Sequence, residues 1–186
     1  MQENQMTKRK TITVKQMAKI NDFAIKIANA NGTGSASANS MLTQVIFRMG
    51  IPVSGKNVFP SNIQGLPTWY EIRVNKDGYT ARIEKFDLCI AMNAETYVKD
   101  VAELAPGGHL LYDSTWSVRK EFTRDDIDYI GIPLSQICND NFDGARARIL
   151  MKNITYVGAV AALLNIDMEV VNVLLKENFA KKGALL

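Results

Sequence analysis

Apolar positions recur along this chain at two spacings. Residues 23–29 (FAIKIAN) read as a short strand with only Lys26 polar in its middle, and Ala30-Asn31-Gly32-Thr33-Gly34 as the loop that leaves it. Residues 35–49 read as a helix, because Met41, Val45 and Met49 recur at i, i+4 and i+8 with Leu42 and Ile46 beside them. Gly50 fits its C-terminal cap, and Pro52 prevents continuation. Residues 53–59 can follow as a second strand, giving a strand–helix–strand unit expected to be parallel and right-handed. In residues 69–75 (WYEIRVN), Tyr70, Ile72 and Val74 alternate with Glu71 and Arg73, the pattern of a half-buried strand. Lys76-Asp77-Gly78 carries an Asp-Gly hairpin signal, so residues 79–85 are expected to return as an antiparallel partner strand.

Residues 87–93, 109–114 and 128–133 read as further strands, and residues 94–105 as a helix closed by Pro106-Gly107-Gly108. The last third is helical: Ile154, Val157, Ala161 and Leu164 keep helical spacing, and Asp167 is placed to cap a final helix with Met168, Val171 and Leu175 inward. The fold class these elements predict is α/β: a Rossmann-like three-layer domain with a mostly parallel sheet, an antiparallel ribbon and C-terminal helices. With no internal repeat or low-complexity linker, a flexible basic N-terminus (residues 1–20) and one domain (residues 21–183) are expected.

The 186 residues suffice to bury a core, and 47% apolar with 22% charged residues excludes a disordered chain. The formal charge of +3 is local, since Lys8, Arg9, Lys10, Lys15 and Lys19 face only Glu3 and Asp22 in the first 22 residues and the remainder balances at 17 against 17. No nucleic-acid partner is expected on that balance. Two cysteines, Cys89 and Cys138, are too few for a disulfide scaffold or a four-thiolate metal site and fit buried thiols in a reducing compartment. The most apolar uncharged stretch, residues 153–166, is shorter than the roughly 20 residues that span a bilayer, so no membrane partner is expected. No apolar leader segment follows Met1, and the basic residues 1–20 contain Glu3 and are not rich in serine and arginine. The expected location is cytoplasmic.

The segment from Phe23 to Tyr70 holds 48 residues and no Asp or Glu, yet includes Lys26, Arg48 and Lys56. Two loops in it, residues 31–35 and 60–68, are rich in Gly, Ser, Thr, Asn and Gln. The first precedes a helix, whose free N–H groups and dipole can hold an anion, and open α/β sheets bind ligands at the carboxyl ends of their strands. Two readings stay open on these grounds: a cradle for a phosphate-bearing ligand, or a neutral patch whose glycines only make tight turns.

Other chemistry finds little support. Gly32-Thr33-Gly34-Ser35-Ala36-Ser37 looks like a dinucleotide fingerprint, but Ser54, Gly55 and Lys56 stand where the ribose-binding acid is required. Residues 50–57 nearly match a phosphate loop, with Asn57 in the Ser/Thr position and a helix-to-strand context that is the reverse of the required one. His109 is the single histidine and reads as structural, because a general base needs a partner and a cleft. Arg146 and Arg148 read as a solvated face, with a subunit contact as the alternative. No self-sufficient catalytic set is present.

Residues 32–40 (GTGSASANS), residues 57–74 (NVFPSNIQGLPTWYEIRV) and the apolar helices of residues 153–182 together resemble the gamma domain of 2-oxoacid:ferredoxin oxidoreductases. The likeness covers about residues 20–182 and is greatest to the 2-oxoglutarate branch, in which this domain leads the alpha subunit. The resemblance implies oxidative decarboxylation of a 2-oxoacid, with thiamine diphosphate, magnesium and iron–sulfur clusters on partner domains or subunits. Electrons pass to ferredoxin and coenzyme A accepts the acyl group. The gamma domain would help close the active site and contribute to coenzyme A binding, with no catalytic residue of its own.

By the same resemblance Gly32, Thr33, Gly34 and Ser35 form a first ligand loop. Ser61, Asn62, Gln64, Gly65 and Thr68 form a second, with Asn39 and Lys56 as lower-ranked neighbours. The chain departs from the commonest gamma pattern, which has more glycine before the first helix and often an acid in the second loop. Ending at Ala184-Leu185-Leu186, it is expected to be the N-terminal part of a longer alpha subunit or a stand-alone gamma subunit. The rival readings are a self-contained Rossmann-type nucleotide-binding oxidoreductase and a structural assembly module.

Overall fold

A computed structural model of the chain describes residues 20–117 and 123–179. The expected flexible N-terminus, apart from Ile20, lies outside the described residues.

The elements are β1 (Asp22–Ala30), α1 (Ser35–Arg48), β2 (Val53–Val58), β3 (Pro67–Asn75), β4 (Phe86–Ala91), α2 (Tyr97–Ala102), β5 (Leu104–Asp113), β6 (Asp128–Ile132), α3 (Leu134–Asn141), α4 (Ala145–Leu163) and α5 (Met168–Phe179). The six strands form one sheet in the order β2-β3-β1-β4-β5-β6. β3 runs antiparallel to both neighbours, while β1, β4, β5 and β6 pair in parallel. This is the expected α/β architecture of a mostly parallel sheet with an antiparallel ribbon.

Strand alternation divides the interior in two. Ile25 and Ile27 of β1, Ile72 and Val74 of β3, and Leu88 and Ile90 of β4 face a core shared with Met41, Leu42, Val45 and Ile46 of α1, Tyr156, Val157 and Val160 of α4, and Val171 and Leu174 of α5. Ala24, Cys89 and Leu110 face the other side, against Tyr97 and Val101 of α2. Helices therefore cover both faces, as the buried parallel strands require. Each fully buried aliphatic side chain of α1 stabilises this arrangement by roughly 1.5–3 kcal/mol relative to exposure.

Four local expectations are corrected. The antiparallel ribbon is β2–β3, joined through residues 59–66, whereas residues 79–85 form no strand. The turn at Lys76-Asp77-Gly78 forms, but β1 and β2 already occupy both edges of β3, so a returning strand has no free edge to pair with. β1 and β2 point the same way but are not neighbours, because β3 lies between them. The helix expected over 94–105 shrinks to α2, and Pro106, Gly107 and Gly108 lie inside β5 at a register shift against β4. There the N–H of Gly107 donates to the Asp126 carbonyl at 2.6 Å. Finally, Asp167 accepts the N–H of Glu169 at 2.8 Å at the start of α5, but Leu174 turns inward with Val171 while Met168 is half exposed.

Cys89 and Cys138 are buried and unbonded to each other, and burial pushes the Cys89 thiol well above its ordinary range. Among the described residues no helix is long and apolar enough to cross a membrane.

Candidate functional site

The carboxyl end of β1 places Asn29 at the rim of the sheet, and β3 starts beside it, with Thr68 registered against Asn29. The loop after β1 bends at Gly32 (φ +85°) and Gly34 (φ +80°) and delivers the chain into α1. Gly34 stands at the N-cap in the left-handed region, where a side chain would be strained and a Cβ would lie 2.5 Å from Leu150 Cδ2. The first turn of α1 has no acid and no side-chain cap, so its free N–H groups and positive dipole end remain available to an anion.

The two polar loops are stitched together. Asn31 N–H donates to Leu66 O at 2.8 Å, Gly65 N–H to Asn31 O at 2.9 Å, and Asn31 Nδ2 to Ile63 O at 3.2 Å. The Gln64 side chain lies over Gly32, whose added Cβ would sit 2.8 Å from Gln64 Cγ. From behind, α4 braces the loop: Asn153 Nδ2 donates to Thr33 O at 2.9 Å, and the Tyr156 hydroxyl donates to Asn39 Oδ1 at 2.6 Å.

Between these elements opens a cleft of about 350 Å³. Asn29, Gly34, Ser35, Asn39, Thr68 and Trp69 are among its lining residues, and no Asp or Glu lines it. Four polar side chains there are more than nine-tenths buried: Asn29 (4% exposed), Ser35 (6%), Asn39 (3%) and Thr68 (7%), the last with its hydroxyl donating to Val58 O at 3.3 Å. Among the described residues the Ser35 hydroxyl and the Asn39 amide nitrogen have no hydrogen-bond partner, while Asn29 reaches only the Tyr156 oxygen, at 3.5 Å. Among the described residues the sealed polar atoms without a partner are Arg73 Nε and the Tyr97 hydroxyl, outside the cleft, so the open donors of Ser35 and Asn39 are reachable from the cleft and available to a ligand.

The expected residues distribute unevenly. Gly32, Gly34, Ser35 and Thr68 line the cleft, as does Asn39. Thr33 does not: its hydroxyl closes the turn on Ala30 O at 2.8 Å. Ser61, Asn62, Gln64 and Gly65 build the covering loop rather than the wall, with Ser61 Oγ accepting the Ile63 N–H at 3.1 Å. Lys56 lies away from the cleft, in a depression with Glu71 and Arg82. Asn29, Asn57, Phe59 and Trp69 also line the cleft and were not singled out from sequence; Asn31, which lines it too, opens the first polar loop. Their signal was a polar or aromatic residue at a strand end, which is legible only once strand order is known. His109 sits with Nδ1 at 3.3 Å from Asp128 Oδ2, a pairing between neighbouring strands remote from the cleft.

A second buried polar group lies on the opposite sheet face. Lys26 bonds Glu103 and lies 3.2 Å from Asp100, and its ammonium stands 5.1 Å from the Trp69 ring. Asp100 also accepts Trp69 Nε1 at 2.8 Å and the Thr96 hydroxyl at 2.6 Å. Burial raises the Asp100 carboxyl, against the downward pull of Thr96, Lys26 and Trp69.

Fold and cleft define an α/β domain with an acid-free cradle at the carboxyl ends of its strands. The chain matches the family described as pyruvate ferredoxin/flavodoxin oxidoreductase over residues 24–186, and it belongs to that family. Over 92 residues, half of this chain, it is 28% identical to the alpha subunit of 2-oxoacid:ferredoxin oxidoreductase 2 from Aeropyrum pernix, of which that match spans 14%.

Among solved structures, 2-oxoglutarate:ferredoxin oxidoreductase from Magnetococcus marinus, with 2-oxoglutarate, coenzyme A and succinyl-CoA bound, superposes with a TM-score of 0.78. The identity is 24%, covering 88% of this chain and 28% of that one. Pyruvate oxidoreductase subunit PORC from Thermotoga maritima has a TM-score of 0.68 at 17% identity, covering 86% of each chain. The gamma subunit of a keto/oxoacid ferredoxin oxidoreductase from Geobacter sulfurreducens PCA has a TM-score of 0.68 at 18% identity, covering 86% of this chain and 90% of that one.

Proposed function

We propose that the chain is the gamma part of a coenzyme A-acylating 2-oxoacid:ferredoxin oxidoreductase, with 2-oxoglutarate as the 2-oxoacid, and that its cleft binds coenzyme A. Family membership supports the enzyme class, and the Magnetococcus likeness motivates the substrate. The observation that carries the ligand is the open donor set of Ser35 and Asn39 beside the uncapped start of α1. A diphosphate suits the helix N-terminus, and the amides of Asn29, Asn39 and Asn57 suit the peptide-like groups of a pantetheine arm.

Thiamine diphosphate with magnesium, held on partner domains or subunits, would supply the decarboxylation chemistry, and iron–sulfur clusters there would carry electrons to ferredoxin. This chain's own residues bind and orient the acyl acceptor and exclude water around it. They hold no proton for the reaction, and the chain alone is expected to show no oxidoreductase turnover. Three exposed apolar residues of the covering loop, Phe59 (54% exposed), Ile63 (62%) and Leu66 (41%), suit burial against the rest of such an assembly.

Calorimetric titration of the full chain with coenzyme A, succinyl-CoA, NAD and FAD tests this reading. Saturable, mutually competitive binding of the two coenzyme A species is expected. Tight NAD or FAD binding without coenzyme A binding would replace it with the nucleotide-binding oxidoreductase. Binding of none of the four would leave the assembly-module reading.

A further inference from the structure

The cleft does not end at the first turn of α1. Gly34 and Ala36 line it on one side and on the other line a larger groove of about 580 Å³ between α1 and α4. The groove floor is apolar, formed by Met41, Leu150 and Ile154, and the amides of Gln44 and Asn178 stand at its walls. Its lining contains one formal charge, Arg146, and no carboxylate. Arg146 is exposed, makes no hydrogen bond or ion pair with any described residue, and is the second residue of α4, whose first turn also has no acid. The acid nearest in sequence to Asn178 is Glu177, and its carboxylate is occupied by Arg48, at 2.7 Å. Arg148, two residues further on, is committed elsewhere, with Nε donating to Phe142 O at 2.8 Å.

We infer that this groove is the nucleoside subsite of the ligand and that Arg146 reads its 3′-phosphate. The inference rests on the coenzyme A reading above. An apolar floor with side-chain amides at its edge matches a purine, which offers a flat face for contact and a rim of donors and acceptors. A solvent-facing guanidinium that no carboxylate of the described residues pairs matches a terminal phosphate dianion, for which arginine is the preferred bidentate partner. The diphosphate then lies over Gly34 and Ala36, where cleft and groove meet, and the pantetheine arm runs toward Thr68 and Trp69.

The experiment compares coenzyme A with 3′-dephospho-coenzyme A on the full chain and on Arg146→Gln and Arg146→Lys. The wild type is expected to prefer coenzyme A by about tenfold, the scale of one charge-assisted phosphate contact. Arg146→Gln should erase that preference by weakening coenzyme A alone, and Arg146→Lys should restore part of it. Equal affinity of the wild type for both ligands overturns the inference and leaves coenzyme A binding intact. So does an Arg146→Gln variant that weakens both ligands alike. Failure of the wild type to bind either ligand overturns the coenzyme A reading itself, and this inference with it.

Discussion

β1 carries two buried polar clusters, one on each face of the sheet, and they differ in whether their bonds close. Around Lys26 every strong group has its partner within the fold: two carboxylates for the ammonium, and an indole N–H and a hydroxyl for Asp100. Around Asn29, three residues further along, Tyr156 ties Asn29 and Asn39 together but leaves Ser35 and the Asn39 nitrogen open to the cleft. The open cluster faces the cleft rather than a sealed interior, so its donors are free to meet a ligand there without disturbing the fold. The closed cluster is architecture; the open one is the candidate site. Trp69 joins them, giving its N–H to Asp100 while lining the cleft.

The largest effect should come from breaking the closed cluster. Asp100→Ala leaves Lys26 with only the partly exposed Glu103 and orphans the Trp69 N–H, so a loss of about 3 kcal/mol is expected, read from the denaturant midpoint. Asp100→Asn keeps an acceptor for Trp69 and should lose less. A variant as stable as wild type would show that the buried charges are idle.

Gly34→Ala comes next. It forces a side chain at φ +80° and against Leu150, for a combined cost of roughly 2–3 kcal/mol, and it should weaken coenzyme A by displacing the start of α1. Loss of stability with unchanged ligand affinity would separate the loop from the site.

Ser35→Ala sharpens the contrast most directly. Removing a hydroxyl that bonds nothing in the fold should leave the melting temperature unchanged, while coenzyme A binding falls about fivefold to tenfold, the worth of one hydrogen bond. A fall in stability with no change in affinity would place Ser35 in the closed class.

The smallest effect is a pH dependence at the far end of the sheet. Burial alone would raise the Asp113 carboxyl, but donors from Ser135 and Thr115 outweigh it and hold the group below the ordinary carboxylate range. A depressed folded value means that Asp113 contributes stability above the unfolded value of about 3.9, and that this is lost as pH falls through the folded one. Asp113→Asn should therefore flatten the acid limb of the stability curve and lower the plateau near neutrality. An unchanged acid limb would remove Asp113 from the account.

How much of this was legible beforehand differs from element to element. The period of Met41, Leu42, Val45 and Ile46 specified α1 and its inward face, and the absence of acids from residues 23–70 left the cleft without a carboxylate. The Asp-Gly turn at residues 77–78 was legible as a turn but misleading as a hairpin, because a turn encodes a change of direction and not which edge is free. Thr33 illustrates a related limit: a hydroxyl in a glycine loop can face a ligand or close its own turn, and only its 2.8 Å bond to Ala30 O decides.

The amino-acid sequence by itself determined the six strands that form, α1, the two polar loops and the lack of carboxylates between them, although it also signalled a strand over residues 79–85 that does not form. These depend on periodicity, turn chemistry and composition, all of which are local. Tertiary structure alone decided that β3 separates β1 from β2, that Asn153 and Tyr156 brace a loop more than a hundred residues away, that Lys26 finds partners while the Ser35 hydroxyl does not, and that the cleft continues into the groove beside Arg146. Side-chain spacing fixes which face a residue presents; what meets that face depends on the competition of every element for the same edges and surfaces.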